Sequence, residues 1–183
     1  VYVNPEVEPE NSYENNRIIL REHLRVLADG TRPVLDVTVD GRYLEDHDFV
    51  SPNPVITIRL WDENQFIPKG DTLGMQIFLA YPCDDDVCGF QRIYFSRNDM
   101  TWESATATSD FIVRFSPTNL DDGKYVLRVG ASDGSGNLSG DDPYQISFRV
   151  ENEESVTGLS PFPNPFFQDT RFEVTITGDQ ATG

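Results

Sequence analysis

The chain reads as an all-β protein, an antiparallel β-sandwich of about seven strands with strand segments on either side. Three observations carry this reading. Between Val34 and Val150, short apolar-alternating runs recur, punctuated by turn residues roughly every 8–12 positions. No long stretch in that region repeats at the helical period. Hydrophobic residues make up 38% of the chain and aromatics 11%, which supports a packed core and argues against disorder.

The elements follow in order. Residues 1–29 stand apart, opening with Pro5, Pro9 and an acidic stretch. Ile18, Leu20, Leu24 and Val26 then alternate with Arg21, His23 and Arg25, which predicts a strand despite the interruption at Glu22. A helix with Leu20, Leu24 and Leu27 on one face is the competing reading. A lone strand buries nothing, so this one is expected to complete a β-domain lying upstream. Gly30-Thr-Arg-Pro33 reads as a linker. The sandwich is expected over residues 30–153. Its strands are Val34–Val39 (closed by Asp40-Gly41), Val55–Leu60, Met75–Tyr81, Phe90–Phe95, Phe111–Phe115, Tyr125–Ala131 and Tyr144–Val150. Asp122-Gly123 suits a tight turn into a strand, and Tyr125 is placed to make a tyrosine-corner contact. Trp61 and Trp102 read as packing residues before ligand platforms.

Residues 154–183 read as a linker and the first strand of a further β-module. Pro161, Pro163 and Pro165 fix φ and remove backbone donors, so the chain there is extended. Arg171–Thr177 then alternates Phe172, Val174 and Ile176 against Arg171, Glu173 and Thr175, a half-buried strand. The expectation is a piece of a longer protein.

Charge narrows the function. Acidic residues number 31 against 14 basic, a net charge of -17, which repels nucleic acid and anionic membrane surfaces. The plain role of such charge is solubility, and the sharper one is a bound divalent cation. No apolar run reaches the roughly 18 residues of a membrane span. Cys83 and Cys88 flank Asp-Asp-Asp-Val, a spacing that suits a disulfide closing a hairpin tip and implies an oxidising compartment. A zinc site needs about four ligands. His23 and His47, the two histidines, lie far from the cysteines in sequence and read as surface residues.

Asp62, Glu63, Asn64, Asp133 and Asn137 fall at strand ends that meet at one pole of a sandwich, where their oxygens suit calcium. The same residue types also dominate ordinary turns. Asp84-Asp-Asp86 is a second candidate, poorly enclosing because the disulfide ring is small. Asp71-Thr-Leu73 resembles the short O-glycosylation pattern of Bacteroidota, with Thr72 as acceptor, though a plain turn explains it too. Asn137-Leu-Ser139 fits the N-glycosylation triplet. The chain lacks a phosphate-cradling glycine loop, and no catalytic residue is assigned.

Several motifs carry a family resemblance. Leu120-Asp-Asp-Gly-Lys-Tyr-Val-Leu-Arg-Val-Gly-Ala-Ser-Asp-Gly-Ser-Gly-Asn137 resembles bacterial immunoglobulin-like modules on secreted proteins. Pro161-Phe-Pro-Asn-Pro-Phe166 and its following strand resemble the start of C-terminal modules on type IX secretion cargo and surface proteins. Glu10-Asn-Ser-Tyr-Glu-Asn-Asn16 resembles the end of a CARDB-type adhesion module. Together with the stretches Pro33–Arg42, Ser51–Asn64 and Arg92–Ser96, their order is similar to the C-terminal region of PorU-like proteins, gingipain-family cysteine-peptidase homologues associated with type IX secretion.

That resemblance implies an immunoglobulin-like sandwich on the extracellular or outer cell surface. Its role would be non-catalytic: spacing, docking or protein contact. The implied partners are the other domains of the same chain, outer-membrane type IX secretion components or another surface protein. The family's catalytic Cys-His pair lies in an upstream domain. Cys83 and Cys88 do not match it, because neighbouring carboxylates raise a thiol's pKa instead of lowering it. The Cys-Asp-Asp-Asp-Val-Cys insertion also departs from the family pattern. Three other expectations stand beside this one: a carbohydrate-binding module using Trp61, Trp102 or exposed tyrosines, an accessory domain of an upstream cysteine peptidase or sortase, and a sheet edge that accepts a partner strand.

Overall fold

A computed structural model describes residues 28–83, 86–153, 155–162 and 171–177, together with Pro9. The expected strand around Ile18–Val26, the Glu10–Asn16 motif, Asp84 and Asp85 lie outside the described residues.

Thirteen strands are described: β1 Val34–Val39, β2 Asp48–Val50, β3 Ile56–Trp61, β4 Gln76–Ala80, β5 Pro82–Cys83, β6 Asp86–Val87, β7 Gln91–Ile93, β8 Met100–Glu103, β9 Phe111–Phe115, β10 Gly123–Gly130, β11 Tyr144–Val150, β12 Ser155–Phe162 and β13 Arg171–Thr177. Nine of them form two sheets, ordered β1-β3-β9-β8 and β2-β11-β10-β4-β7. Every pairing in these sheets is antiparallel except β2 with β11. Naming β1, β3, β9 and β8 as A, B, E and D, and β4, β7, β10 and β11 as C, C′, F and G, gives the immunoglobulin arrangement. The first strand divides, β1 joining one sheet and β2 the other.

The expected seven strands are all present, and β2 and β8 are additional. Asp48-Phe-Val50 is too short to show a period. Met100-Thr-Trp-Glu103 alternates over only four residues, too short a run to stand out, and its ladder to β9 gives this edge strand its form. The other sandwich edges are β1, β2 and β7, of six, three and three residues.

The period of two explains the core. In β10, Tyr125, Leu127 and Val129 point inward and are buried, while Lys124, Val126 and Arg128 point outward. Ile56, Ile58 and Leu60 of β3, with Phe111, Val113 and Phe115 of β9, face them from the other sheet. Tyr125 is 1% exposed, stacks on Phe148 at 5.5 Å and meets Tyr81 edge-on at 5.7 Å. Its hydroxyl donates to the Asp121 carbonyl at 3.0 Å. This is the tyrosine-corner contact expected at the start of strand F.

Turn chemistry matches the sequence at Gly123, whose φ is +137°. A Cβ there would lie 2.5 Å from Pro82 Cβ, so only glycine fits. Beyond β4, Cys83 and Cys88 form a disulfide, with their Cα atoms 5.6 Å apart, across the small β5–β6 hairpin. The thiols are therefore joined, as expected. β12 and β13 pair antiparallel, with a register shift between Val156 and Gly158. β13 matches the expected strand, and Pro161 lies opposite Phe172 in that ladder.

The path of the chain through the sandwich is in-line. β1 begins with Val34 opposite Trp61, at the pole that holds loops 62–75, 104–110 and 131–143. β11 ends with Val150 opposite Gly123, at the other pole.

Candidate metal centre at the linker pole

Three segments meet where the chain reaches the sandwich: the segment before β1 that carries Asp29, the loop after β3 and the loop after β10. Each loop builds its own turn first. Asn64 N–H donates to Asp62 Oδ1 at 3.1 Å and Phe66 N–H to Asn64 Oδ1 at 3.0 Å, successive side chain-capped turns. In the second loop, Asp133 Oδ1 accepts from both the Ser135 and Asn137 amides at 2.8 Å. Asn137 Nδ2 donates to Asp133 Oδ2 at 2.8 Å.

Asp29 then ties the linker to both loops. Its Oδ2 accepts from Asn64 Nδ2 at 2.8 Å and Ser135 Oγ at 3.2 Å, and its carbonyl accepts from Asn137 Nδ2 at 3.3 Å. These contacts span 35 to 108 residues of chain. The Asn64 bond foremost, then the Thr31 amide and the Ser135 hydroxyl, hold the Asp29 carboxyl below its ordinary value against the desolvation that opposes them.

One carboxylate oxygen each from Asp29, Asp62 and Asp133 lies within 4.8 Å of the other two. Asp133 is 4% exposed, and Asp62 Oδ2 is buried with no hydrogen-bond partner among the described residues. Burial pushes the Asp62 carboxyl above its ordinary value, the charges of Asp133, Asp29 and Glu63 add to that, and the Asn64 amide opposes it. A buried acceptor without a donor, facing two further carboxylates, fits a hard divalent cation, for which oxygen ligands are the rule. Asp29, Asp62 and Asp133 would supply carboxylate oxygens.

A buried cation shares this pole. Lys69, 4% exposed, donates its ammonium to the Leu73 carbonyl and sits 5.6 Å from the centre of the Phe111 ring. Burial lowers its pKa, while the charges of Asp71 and Asp133 oppose that shift. Lys69, Asp62, Asp133 and Trp61 line one cleft of about 400 Å³.

Of the residues proposed from sequence, Asp62, Asn64, Asp133 and Asn137 come together here, and Glu63 lines the same cleft. Sequence reasoning misses Asp29, whose only signal is an aspartate directly before the Gly30-Thr-Arg-Pro33 linker. Thr72 lies half-buried in a turn, its carbonyl accepting from the Met75 amide at 3.1 Å and Asp71 Oδ1 capping Leu73 N at 2.9 Å.

The two tryptophans do not form a shared platform. Trp61 occupies an outward position of β3, whereas Trp102 stands opposite buried Val113 and stacks on buried Phe111 at 5.7 Å. Trp102 therefore covers the core at the β8 edge, although 41% of it is exposed.

The fold and this pole define an immunoglobulin-like β-sandwich with a carboxylate-lined pole where the chain enters. No protein-family model matches the chain, and no curated protein does. Among solved structures, the crystal structure of dimeric latent PorU from Porphyromonas gingivalis is similar over 81% of this chain, at 22% identity and a TM-score of 0.44. The match spans 13% of that protein's length.

Proposed function

We propose that this chain is a non-catalytic, extracellular immunoglobulin-like module of a multidomain PorU-like surface protein, serving as an in-line spacer and docking domain. The observation that carries the reading is the chain path: the polypeptide reaches the sandwich at one pole and leaves it at the other. A module threaded this way holds its two neighbours in the chain apart. The clamp on Asp29 supports the reading, because it fixes the linker to two loops and so limits swivelling at the junction. The motifs from Leu120 to Asn137 and from Pro161 to Phe166 supply the family and the surface location by resemblance. No helix among the described residues is long and apolar enough to cross a membrane. In a PorU-like parent, peptidase or sortase chemistry would belong upstream, and this module would act as its accessory.

Pulling a single molecule between its termini tests the spacer role. The expected result is one cooperative rupture of the sandwich, releasing roughly 400 Å of chain at about 3.4 Å per residue. Gradual yielding in several small steps would overturn the spacer role. Peptide or glycan hydrolysis by the purified chain would overturn the non-catalytic one.

A further inference from the structure

The outer face of the five-stranded sheet has a composition unlike the rest of the chain. Register places Gln145, Arg128, Phe78 and Arg92 in one row across β11, β10, β4 and β7. A second row pairs Lys124 with Arg149 across β10 and β11. All four charged residues at these outward strand positions are basic, in a chain with 31 acids and 14 bases. Chance placement at that ratio would favour acids by about two to one.

Aromatic rings hold two of these bases, Arg92 and Arg128, in position. The Arg128 guanidinium lies 3.8 Å from the centre of the Phe90 ring, and its Nε and Nη2 both donate to Gln145 Oε1. Arg92 sits 5.5 Å from the Tyr94 ring centre. Phe90 and Tyr94 are both exposed, Tyr94 by 59%. Arginines fixed on exposed aromatic rings are the residue types enriched at the energetic centres of protein interfaces. Among the described residues, Asp46 marks the acidic margin of the face, accepting from Ser147 beside β11, near Lys124.

We propose that this face is a docking surface for an acidic protein partner. Charge complementarity selects the sign of the partner. The open form of the site selects an extended surface over a small ligand, which needs a concave site, and arginines on exposed aromatic rings are the composition of protein interfaces. Three clefts among the described residues lie instead at the pole where the chain enters, lined by residues 32–35, 60–74, 105–110 and 132–144. The proposal does not depend on the spacer reading.

The test is binding of fluorescent poly-L-glutamate to the whole chain at low salt, with polygalacturonate as a polysaccharide of like charge. The wild type is expected to bind poly-L-glutamate, despite its own net negative charge, and more tightly than polygalacturonate. Arg92→Gln with Arg128→Gln should weaken binding at least tenfold while leaving the unfolding midpoint unchanged. Arg59→Gln, on the opposite sheet, should leave binding unchanged. Failure to bind poly-L-glutamate, equal loss in the Arg59 variant, retained binding in the double variant, or tighter binding of polygalacturonate would each overturn the assignment.

Discussion

Tyr125→Phe separates two contributions of a single hydroxyl. The substitution keeps the ring against Phe148 and Tyr81 and removes the bond to the Asp121 carbonyl. Asp121 is exposed, so water can take over its carbonyl, and the loss at neutral pH should be about 1 kcal/mol, below the cost of an orphaned buried acceptor. Alkaline pH acts the other way. Burial, with the charges of Asp121 and Tyr81, pushes the Tyr125 pKa from 10.0 up to about 12. The folded chain holds this proton more tightly than the unfolded chain does. The resulting stability is complete below pH 10 and is lost as pH rises toward 12. The full gap is worth about 2.7 kcal/mol, and about half of it is gone by pH 11.

The phenylalanine variant has no such proton to lose. Its deficit of about 1 kcal/mol at pH 7 should therefore close between about pH 10.5 and 11. Tyr144, also shifted upward by burial, titrates in both proteins and cancels in the difference. Guanidinium unfolding at pH 7, 10 and 11 measures the gap directly. Equal stability at pH 7, or a gap that stays as wide at pH 11, would refute the account.

Three further outcomes are expected. Gly123→Ala should cost roughly 2–4 kcal/mol in urea unfolding, because its Cβ would meet Pro82 and its φ is positive. Asp62→Asn should match or exceed the wild type in chelator, since it removes a carboxylate that burial disfavours. In calcium, the wild-type midpoint should rise by several degrees and that of the variant should not, as differential scanning calorimetry would record. Replacing Cys83 and Cys88 with alanine should cost roughly 2 kcal/mol in chemical unfolding, the chain-entropy value for so short a loop.

The sandwich is legible in the sequence where one face of a strand is buried and the other wet. Phe111–Phe115 and Tyr144–Val150 fall where expected to the residue, because Phe111, Val113 and Phe115 alternate with Ile112 and Arg114 as burial requires. The tyrosine corner is legible because it is local: four residues separate Tyr125 from its acceptor. β2 is not legible, since its form comes from parallel pairing with β11 about 100 residues away. The linker pole falls between these cases. Asp62 and Asp133 stand out by sitting at strand ends among turn residues. Asp29 precedes a linker, and only the folding of two distant loops onto it gives it a role.

The basic face is invisible in the sequence for a different reason. Net charge is a sum, and a value of -17 hides where the minority sign has gone. Arg92, Lys124, Arg128 and Arg149 are scattered through 58 residues with acids interspersed among them, and nothing in that order sets them apart. Three facts of register assemble them: β10 lies between β4 and β11, β7 adds to β4, and each of these bases falls on the outward parity of its strand. A slip of one residue in β10 would bury Arg128 and expose Leu127, so the core that fixes the register also fixes the face. The apolar alternation that makes the sandwich equally determines which charges the sandwich presents. This is why the partner-facing chemistry of such a module emerges only once its strands are paired.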